Sequence, residues 1–526
     1  MPSKLRNLVQ TAKPDIKIHF DHPKSTYTTL DRLEGTVTIT APHDTRFDSV
    51  DIEFIGTSRT FVERFTTAAA ASGRSEAYHQ FLKLSQPGNE QYYPADFVLQ
   101  AGVAYEFPFI FAVPQQLLPR VCQHPVRNDA VRDLHLHLPP TFGDKDLGAS
   151  QKGLDDMAPD MASVRYGIFA KISEVKIRGD EVWRSTMASR ARRVRVIPAV
   201  EVQPPLDVHA EEGEYNMRKE KSIRKSMLKG KVGTLVMEAA QPPALQVQSY
   251  DNPEARTNTH ATIMLRFDPF DDKTKPPKLG SLSSRLKVST YFASCARSTV
   301  PTKQASTLDI TQGLHSEQFN LSSRCMANVE WKKHHPTPTT PDEVLERRDS
   351  ANSIASLSWQ SPGSIPAPSE TYKDGAAYYT ARLVVPVQLP PHKAFPPTFH
   401  TCLISRVYAL KFDLSLSSAG LASSLPLRVP IQISSEGLPR RIRVPSEELV
   451  GRSRIGSQAP LADDEHEHAA AAAAAAERPD ADAVQRRRSM PESDAPPGYS
   501  VSTSTAGRAR MTDYRLNFRA MSVSVH

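Results

Sequence analysis

"YALKFDLSL", residues 408–416, sets Tyr408, Leu410, Phe412, Leu414 and Leu416 against Ala409, Lys411, Asp413 and Ser415. Successive side chains of a strand point to opposite faces, so a period of two describes a β-strand with one apolar and one wet face. The same alternation recurs on either side. Ile16, Ile18 and Phe20 align in "IKIHF", and Val50, Ile52 and Phe54 alternate with Asp51 and Glu53 in "VDIEF". "SVRYGIFAKI" places Val164, Tyr166, Ile168, Ala170 and Ile172 on one side. "IMLRF" aligns Ile263, Leu265 and Phe267, and "RLKVSTYF" aligns Leu286, Val288, Thr290 and Phe292. Many short strands, each with one solvated face, predict an all-β chain of antiparallel sandwiches. No strand–helix–strand rhythm suggests a nucleotide-binding α/β fold.

Composition points the same way. The chain has 526 residues, enough for two or three domains, with 43 prolines against 23 glycines. Proline cannot donate to a ladder and collects at strand edges, turns and linkers, which argues against a helical protein. A net charge of +7 comes from 65 basic and 58 acidic residues, partly in short runs such as "RRR" at 486–488. That balance supports local attraction to phosphate or phospholipid, not a dedicated nucleic-acid domain. Cys122, Cys295, Cys325 and Cys402 are far apart with no CxxC pair, so reduced thiols are expected and neither a disulfide frame nor a zinc site. "MPSKLRNLVQTAKPD" lacks a signal-peptide core, and no run approaches the roughly 18 apolar residues of a membrane span. A soluble, intracellular chain is expected, recruited to membranes peripherally.

Two strand-rich blocks stand out, 14–198 and 245–434. The segment 199–244 between them, with "HAEEGEYNMRKEKSIRKSMLKGK" at 209–231, is expected to be a charged connector. Within the second block, about 334–372 is rich in Pro, Ser and Thr and is expected to be a disordered insertion. From 435 to 526 the chain carries Ser, Arg, Pro and an octa-alanine run, and a disordered tail is expected. That tail contains Pro496-Pro497-Gly498-Tyr499, a PPxY motif. Adjacent prolines hold polyproline II, which fits the aromatic groove of a WW domain, while Tyr499 enters its own slot. Glu492 and Asp494 upstream would favour a basic rim on that domain.

The first block contains "YEFPFIFAVPQQLLPRVCQH" (105–124), "LHLHLPPTFGD" (134–144) and "DDMAPDMASVRYGIFAKI" (155–172). The second contains "VPVQLPPHKAFPPTFHTCLISRVYALKFDLSL" (385–416). Together these resemble fungal arrestin-like proteins, the arrestin-related trafficking adaptors, across 14–198 and 245–434. The resemblance implies two tandem antiparallel immunoglobulin-like β-sandwiches, no catalytic centre and no cofactor. It further implies that the body recognises plasma-membrane transporters or receptors, while Pro496, Pro497 and Tyr499 engage the WW domains of a Nedd4-type HECT ubiquitin ligase. Cargo ubiquitylation and endocytosis would follow, at the plasma membrane and endosomes. A flexible tether would hold ligase and cargo at roughly millimolar local concentration. An arrestin-like signalling scaffold for a membrane pH or nutrient sensor is the alternative. Many such adaptors carry two or more PY motifs and this chain has one strict copy; no activation switch is inferred from the buried charge network of visual arrestins.

Ser489 lies in "RRRSMP", with Arg486 three residues before it and Pro491 two after. Phosphorylated, it would suit the arginine cluster of a 14-3-3 protein and could mask the PPxY motif seven residues on. Ser350 in "RRDS" is a second candidate, with Ser226 and Ser457 weaker. Lys225, Lys229 and Lys231 are candidate ubiquitylation sites in the connector. His135 and His137 alternate with leucines in "LHLHL" and are expected on the solvent face of a strand; "KKHHP" and "DEHEH" (His466, His468) offer no closed tetrahedral set. No metal site is expected. No GxSxG, Walker loop or HExxH occurs, and Cys122 lacks an adjacent positioned base, so catalysis is not expected.

Overall fold

The computed structural model describes residues 13–64, 73–147, 154–178, 181–203, 214–224, 230–247, 258–335, 364–418, 421–435 and 500–503. The first series of elements is β1 (Asp15–Phe20), β2 (Arg32–Thr40), β3 (Thr45–Arg46), β4 (Ser49–Arg64), β5 (Gly73–Ser85), β6 (Val98–Leu99) and β7 (Ala104–Ala112). Helix α1 (Asp129–Leu136), β8 (Ala162–Arg178) and β9 (Glu181–Val194) complete it. The second series opens with β10 (Arg218–Arg224), β11 (Lys231–Ala239), β12 (Leu245–Val247), β13 (Thr259–Pro269) and β14 (Lys278–Ala293). After the short helix α2 (Lys303–Leu308) come β15 (Gln312–Cys325), β16 (Lys332–His334), β17 (Tyr378–Val387) and β18 (Phe399–His400). They are followed by β19 (Ile404–Ser418), β20 (Leu421–Ile431) and β21 (Ile433–Ser435), and finally by β22 (Ser500–Thr503).

These strands make an all-β pair of sandwiches. In the first, a three-stranded sheet in the order β1-β2-β7 faces a five-stranded sheet, β22-β5-β4-β8-β9. In the second, β10-β11-β13-β17-β16 faces a sheet running β15-β14-β19-β18, with β20 also paired to β19. The pairings within these four sheets are antiparallel, while β12 and β21 form a short parallel ladder. Tyr408, Leu410, Phe412, Leu414 and Leu416 are all buried in the second core, as their spacing requires. Burying each such side chain stabilises the fold by about 1.5–3 kcal/mol before ordering entropy is counted. Val164, Tyr166, Ile168, Ala170 and Ile172 serve the first core in the same way.

The structure departs from the sequence expectations at four places. The first is the connector, from which β10 and β11 are built. They pair with each other and with β13, so the second sandwich begins well before residue 245. Lys231 is the exposed first residue of β11, whereas Lys225, Lys229 and Ser226 lie outside the described residues.

The second is the wet face of "IMLRF". Met264 and Arg266 are buried along with Ile263, Leu265 and Phe267. The far end of the expected insertion, 364–372, returns over that face. Arg266 donates to Asp268 at 2.8 Å and to the Pro366 carbonyl at 3.2 Å, and the Ser369 amide donates to Asp268 at 2.8 Å. An internally satisfied ion pair, stacked on Tyr378 and Tyr372, therefore replaces solvent. Ser350 and most of the insertion lie outside the described residues.

The third is "LHLHL". Asn128 caps a helix by accepting from the Val131 amide at 3.0 Å, and α1 carries the chain to Leu136. His135 is therefore a buried helical residue on the same face as Val131, one turn away, while His137 terminates the helix and is exposed. The cap overrides the local alternation.

The fourth is the tail. Ser500–Thr503 pairs antiparallel with β5, Ser500 opposite Tyr78 and Thr503 opposite Ser75. Pro496, Pro497, Tyr499, Ser489 and Ser457 lie outside the described residues, as do His466 and His468.

Candidate functional site

The seam between the two sandwiches carries two clusters of buried polar groups. "LPPTFGD" forms the loop entering it from the first sandwich. Gly143 there has φ +63°, and a Cβ would lie 2.6 Å from the Ala162 carbonyl oxygen, so only glycine passes without displacement. Its amide donates to the Asp156 carboxylate at 2.7 Å, and the Ala158 amide donates to the same group at 3.1 Å. Burial nevertheless pushes the Asp156 carboxyl above its ordinary range, with Arg406 opposing.

Arg406, from β19, is among the largest wholly buried side chains. It donates to the Asp156 carbonyl at 2.8 Å, to the Met157 carbonyl at 3.2 Å and to the Thr290 hydroxyl at 2.5 Å. Its guanidinium lies 5.3 Å from the Phe142 ring and 5.5 Å from Tyr408. One cation thus ties the Gly143–Met157 region of the first sandwich to β14 and β19 of the second. Lys393 to Asp155 (2.6 Å) and the Ala394 amide to the Asp155 carbonyl (2.9 Å) extend the contact. At the other margin, Thr60 of β4 donates to the Ala293 carbonyl at 2.5 Å, and Arg64 donates to the carbonyls of Asp309 and Ile310 at 2.8 and 3.0 Å. Phe292, Phe399, Leu403 and Ile404 join the first sandwich's apolar cluster, so the seam is packed as well as bonded.

A second cluster lies between α1 and the β18–β19 turn. Cys122, His124, His135 and Cys402 bring one sulfur or nitrogen atom each within 4.8 Å of the others. Cys122 Sγ is 3.3 Å from His124 Nε2 and 3.6 Å from His135 Nδ1. The Cys402 thiol is hydrogen-bonded to Cys122 and holds the latter's pKa below its ordinary value against the opposing effect of burial. Burial, with the nearby Arg297 cation and neighbouring histidines, pushes His135 down to about 3, so its imidazole is neutral at physiological pH. His79 and His400 are each lowered to about 4 by burial as well. The sequence holds no CxxC pair and no zinc-like spacing, but the C-x-H of "CQH" meets a helical histidine and a cysteine from the other sandwich. Cys122 is itself wholly buried, so this thiol faces its neighbours and not solvent.

A groove of about 460 Å³ beside β1 and β9 is lined by Lys24, Arg192, Arg193 and Arg195, and three of these cations are engaged by the protein itself. Lys24 binds Asp31 at 2.8 Å, Arg192 donates to the Ile18 carbonyl at 2.8 Å, and Arg193 contacts Asp144 and Asp146 at 2.5 and 3.0 Å. Among the described residues no helix is long and apolar enough to cross a membrane.

Residues 16–127 match the family model for the arrestin (or S-antigen) N-terminal domain. No curated protein matches the chain. The matched span runs from β1 through the loop carrying Cys122 and His124, most of the first sandwich. Within the two-sandwich body, the first sandwich is therefore similar to an arrestin N-terminal domain over residues 16–127.

Proposed function

We propose that the chain is a non-enzymatic adaptor that binds plasma-membrane transporters or receptors and recruits a Nedd4-type HECT ubiquitin ligase through Pro496, Pro497 and Tyr499. The single observation carrying the general reading is the arrestin N-terminal match over 16–127 within a two-sandwich body. The PPxY motif supports the ligase. The physics is effective concentration: a body that holds cargo and a tail that holds ligase make ubiquitin transfer intramolecular. Phosphorylation of Ser489, with 14-3-3 capture, would mask the motif seven residues on, and Ser350 in the insertion is a second candidate phosphorylation site. Lys225, Lys229 and Lys231 are the proposed acceptors of the adaptor's own ubiquitin. Affinity capture of wild type against Tyr499→Ala tests this. The ligase should disappear from the variant's partners and membrane cargo should remain. If the ligase is retained, the tail reading fails. If only sensor components of a signalling pathway are captured, the scaffold reading replaces the trafficking one.

A further inference from the structure

We propose that Cys122, His124, His135 and Cys402 hold a structural Zn²⁺ ion that staples the two sandwiches together. The inference is independent of the adaptor reading. Three ligands come from the first sandwich: Cys122 and His124 from the loop after β7, and His135 from α1. The fourth, Cys402, comes from the turn between β18 and β19 in the second.

The geometry suits the ion. Tetrahedral zinc with Zn–S near 2.3 Å and Zn–N near 2.0–2.1 Å requires sulfur–nitrogen edges of about 3.5–3.6 Å. The observed edges from Cys122 are 3.3 and 3.6 Å. The remaining donor separations are no longer than 4.8 Å, so small χ adjustments would bring four donors round one centre. Two sulfurs and two imidazoles are a donor set that zinc accepts in closed, four-ligand structural sites.

The surroundings orient these donors as a metal site's outer shell does. His124 Nδ1 lies 3.1 Å from the Pro125 carbonyl; donating its proton there leaves the Nε2 lone pair facing Cys122. Arg132 donates to the Cys122 carbonyl at 3.2 Å. The Cys402 carbonyl accepts from the Arg297 amide at 3.0 Å, and the Thr401 hydroxyl accepts from the Leu403 and Ile404 amides at 3.3 and 2.9 Å. The His124 ring and the backbone that carries both cysteines are thus held before any ion arrives.

Binding balances in charge. Zn²⁺ displaces one proton from each thiol, two protons leave to solvent, and the two thiolates cancel the charge of the dication. A neutral complex avoids the cost of burying a net charge. All four zinc positions are filled by protein, so the site is structural and leaves no open coordination position for substrate.

The test uses full-length protein purified under reducing conditions without chelator. Elemental analysis should find about one zinc per chain, the share expected of a closed four-ligand site. Co²⁺ exchanged into the protein should give tetrahedral ligand-field and thiolate charge-transfer bands. Cys402→Ser and His124→Ala should lose the metal, whereas Cys295→Ser and Cys325→Ser should keep it. Should the ligand variants fail to fold, a strong chelator applied to wild type is the second arm. It should remove the zinc and lower the midpoint of thermal unfolding, and added Zn²⁺ should restore it. Metal-free wild type with an unchanged midpoint after chelator would overturn the proposal. So would full zinc retention in Cys402→Ser, or a Cys122–Cys402 disulfide in reduced preparations.

Discussion

Two polar clusters lie between the sandwiches, and they are built differently. Around Arg406, one permanent cation meets carbonyl and hydroxyl oxygens that are already fixed by the backbone. Around Cys122, four neutral or weakly polar donors face one another, with little to gain from each other beyond weak sulfur–nitrogen contacts. The first cluster is complete with protein alone. The second is arranged as though for something that accepts four lone pairs. The contrast explains why zinc is proposed at one and not at the other: guanidinium and carbonyl groups satisfy each other, whereas thiols and imidazoles compete weakly.

Substitutions should separate the two clusters, with the largest effect at the complete one. Phe142→Ala should cost about 3–5 kcal/mol in chemical denaturation, because it empties a wholly buried site between Arg406 and Phe399. Arg406→Met should cost about 3 kcal/mol or more, since it leaves the buried Asp156 region without its cation while keeping the volume. Neither loss should respond to added zinc; rescue of either by the metal would show that the clusters are not distinct. Gly143→Ala should cost about 1–3 kcal/mol through the left-handed backbone and the close Ala162 carbonyl, visible as a lowered midpoint at an unchanged denaturant slope.

Lys393→Ala should have the smallest effect, at most about 1 kcal/mol, because Asp155 is 62% exposed. Burial alone would raise the Asp155 pKa, but Lys393 and the Met157 amide outweigh it and hold the carboxyl below its ordinary value. With the folded value depressed, the pair's contribution is present above the unfolded value near 3.8 and is lost as pH falls through the folded one. The difference between wild type and Lys393→Ala should therefore be flat from pH 5 to 7. A difference that changes across that range would assign the seam's titration to other groups.

The sandwich fold was legible because period-two patterning is a local consequence of strand geometry; "YALKFDLSL" needed no partner to be read. Where the reading failed, a distant segment or an upstream signal decided the outcome. "IMLRF" looked half-wet because its cover, Pro366–Ser369, returns from about a hundred residues later in the chain. "LHLHL" looked like a strand because Asn128, which starts the helix, lies outside the repeat. The Cys122 cluster could not be seen at all: its fourth member, Cys402, is brought in by the docking of the second sandwich. The PPxY motif is the reverse case: its pattern is carried by four adjacent residues, Pro496–Tyr499, which lie outside the described residues.

In the proposed adaptor, the two-sandwich body holds a membrane client while the tail brings the ligase. The most direct measurement follows a captured transporter in cells that carry either wild type or Tyr499→Ala, scoring its ubiquitylation and its residence at the plasma membrane together. The account predicts that the variant still binds the transporter but leaves it unmodified and at the surface. Normal ubiquitylation and internalisation with Tyr499→Ala, at matched protein level, would contradict it.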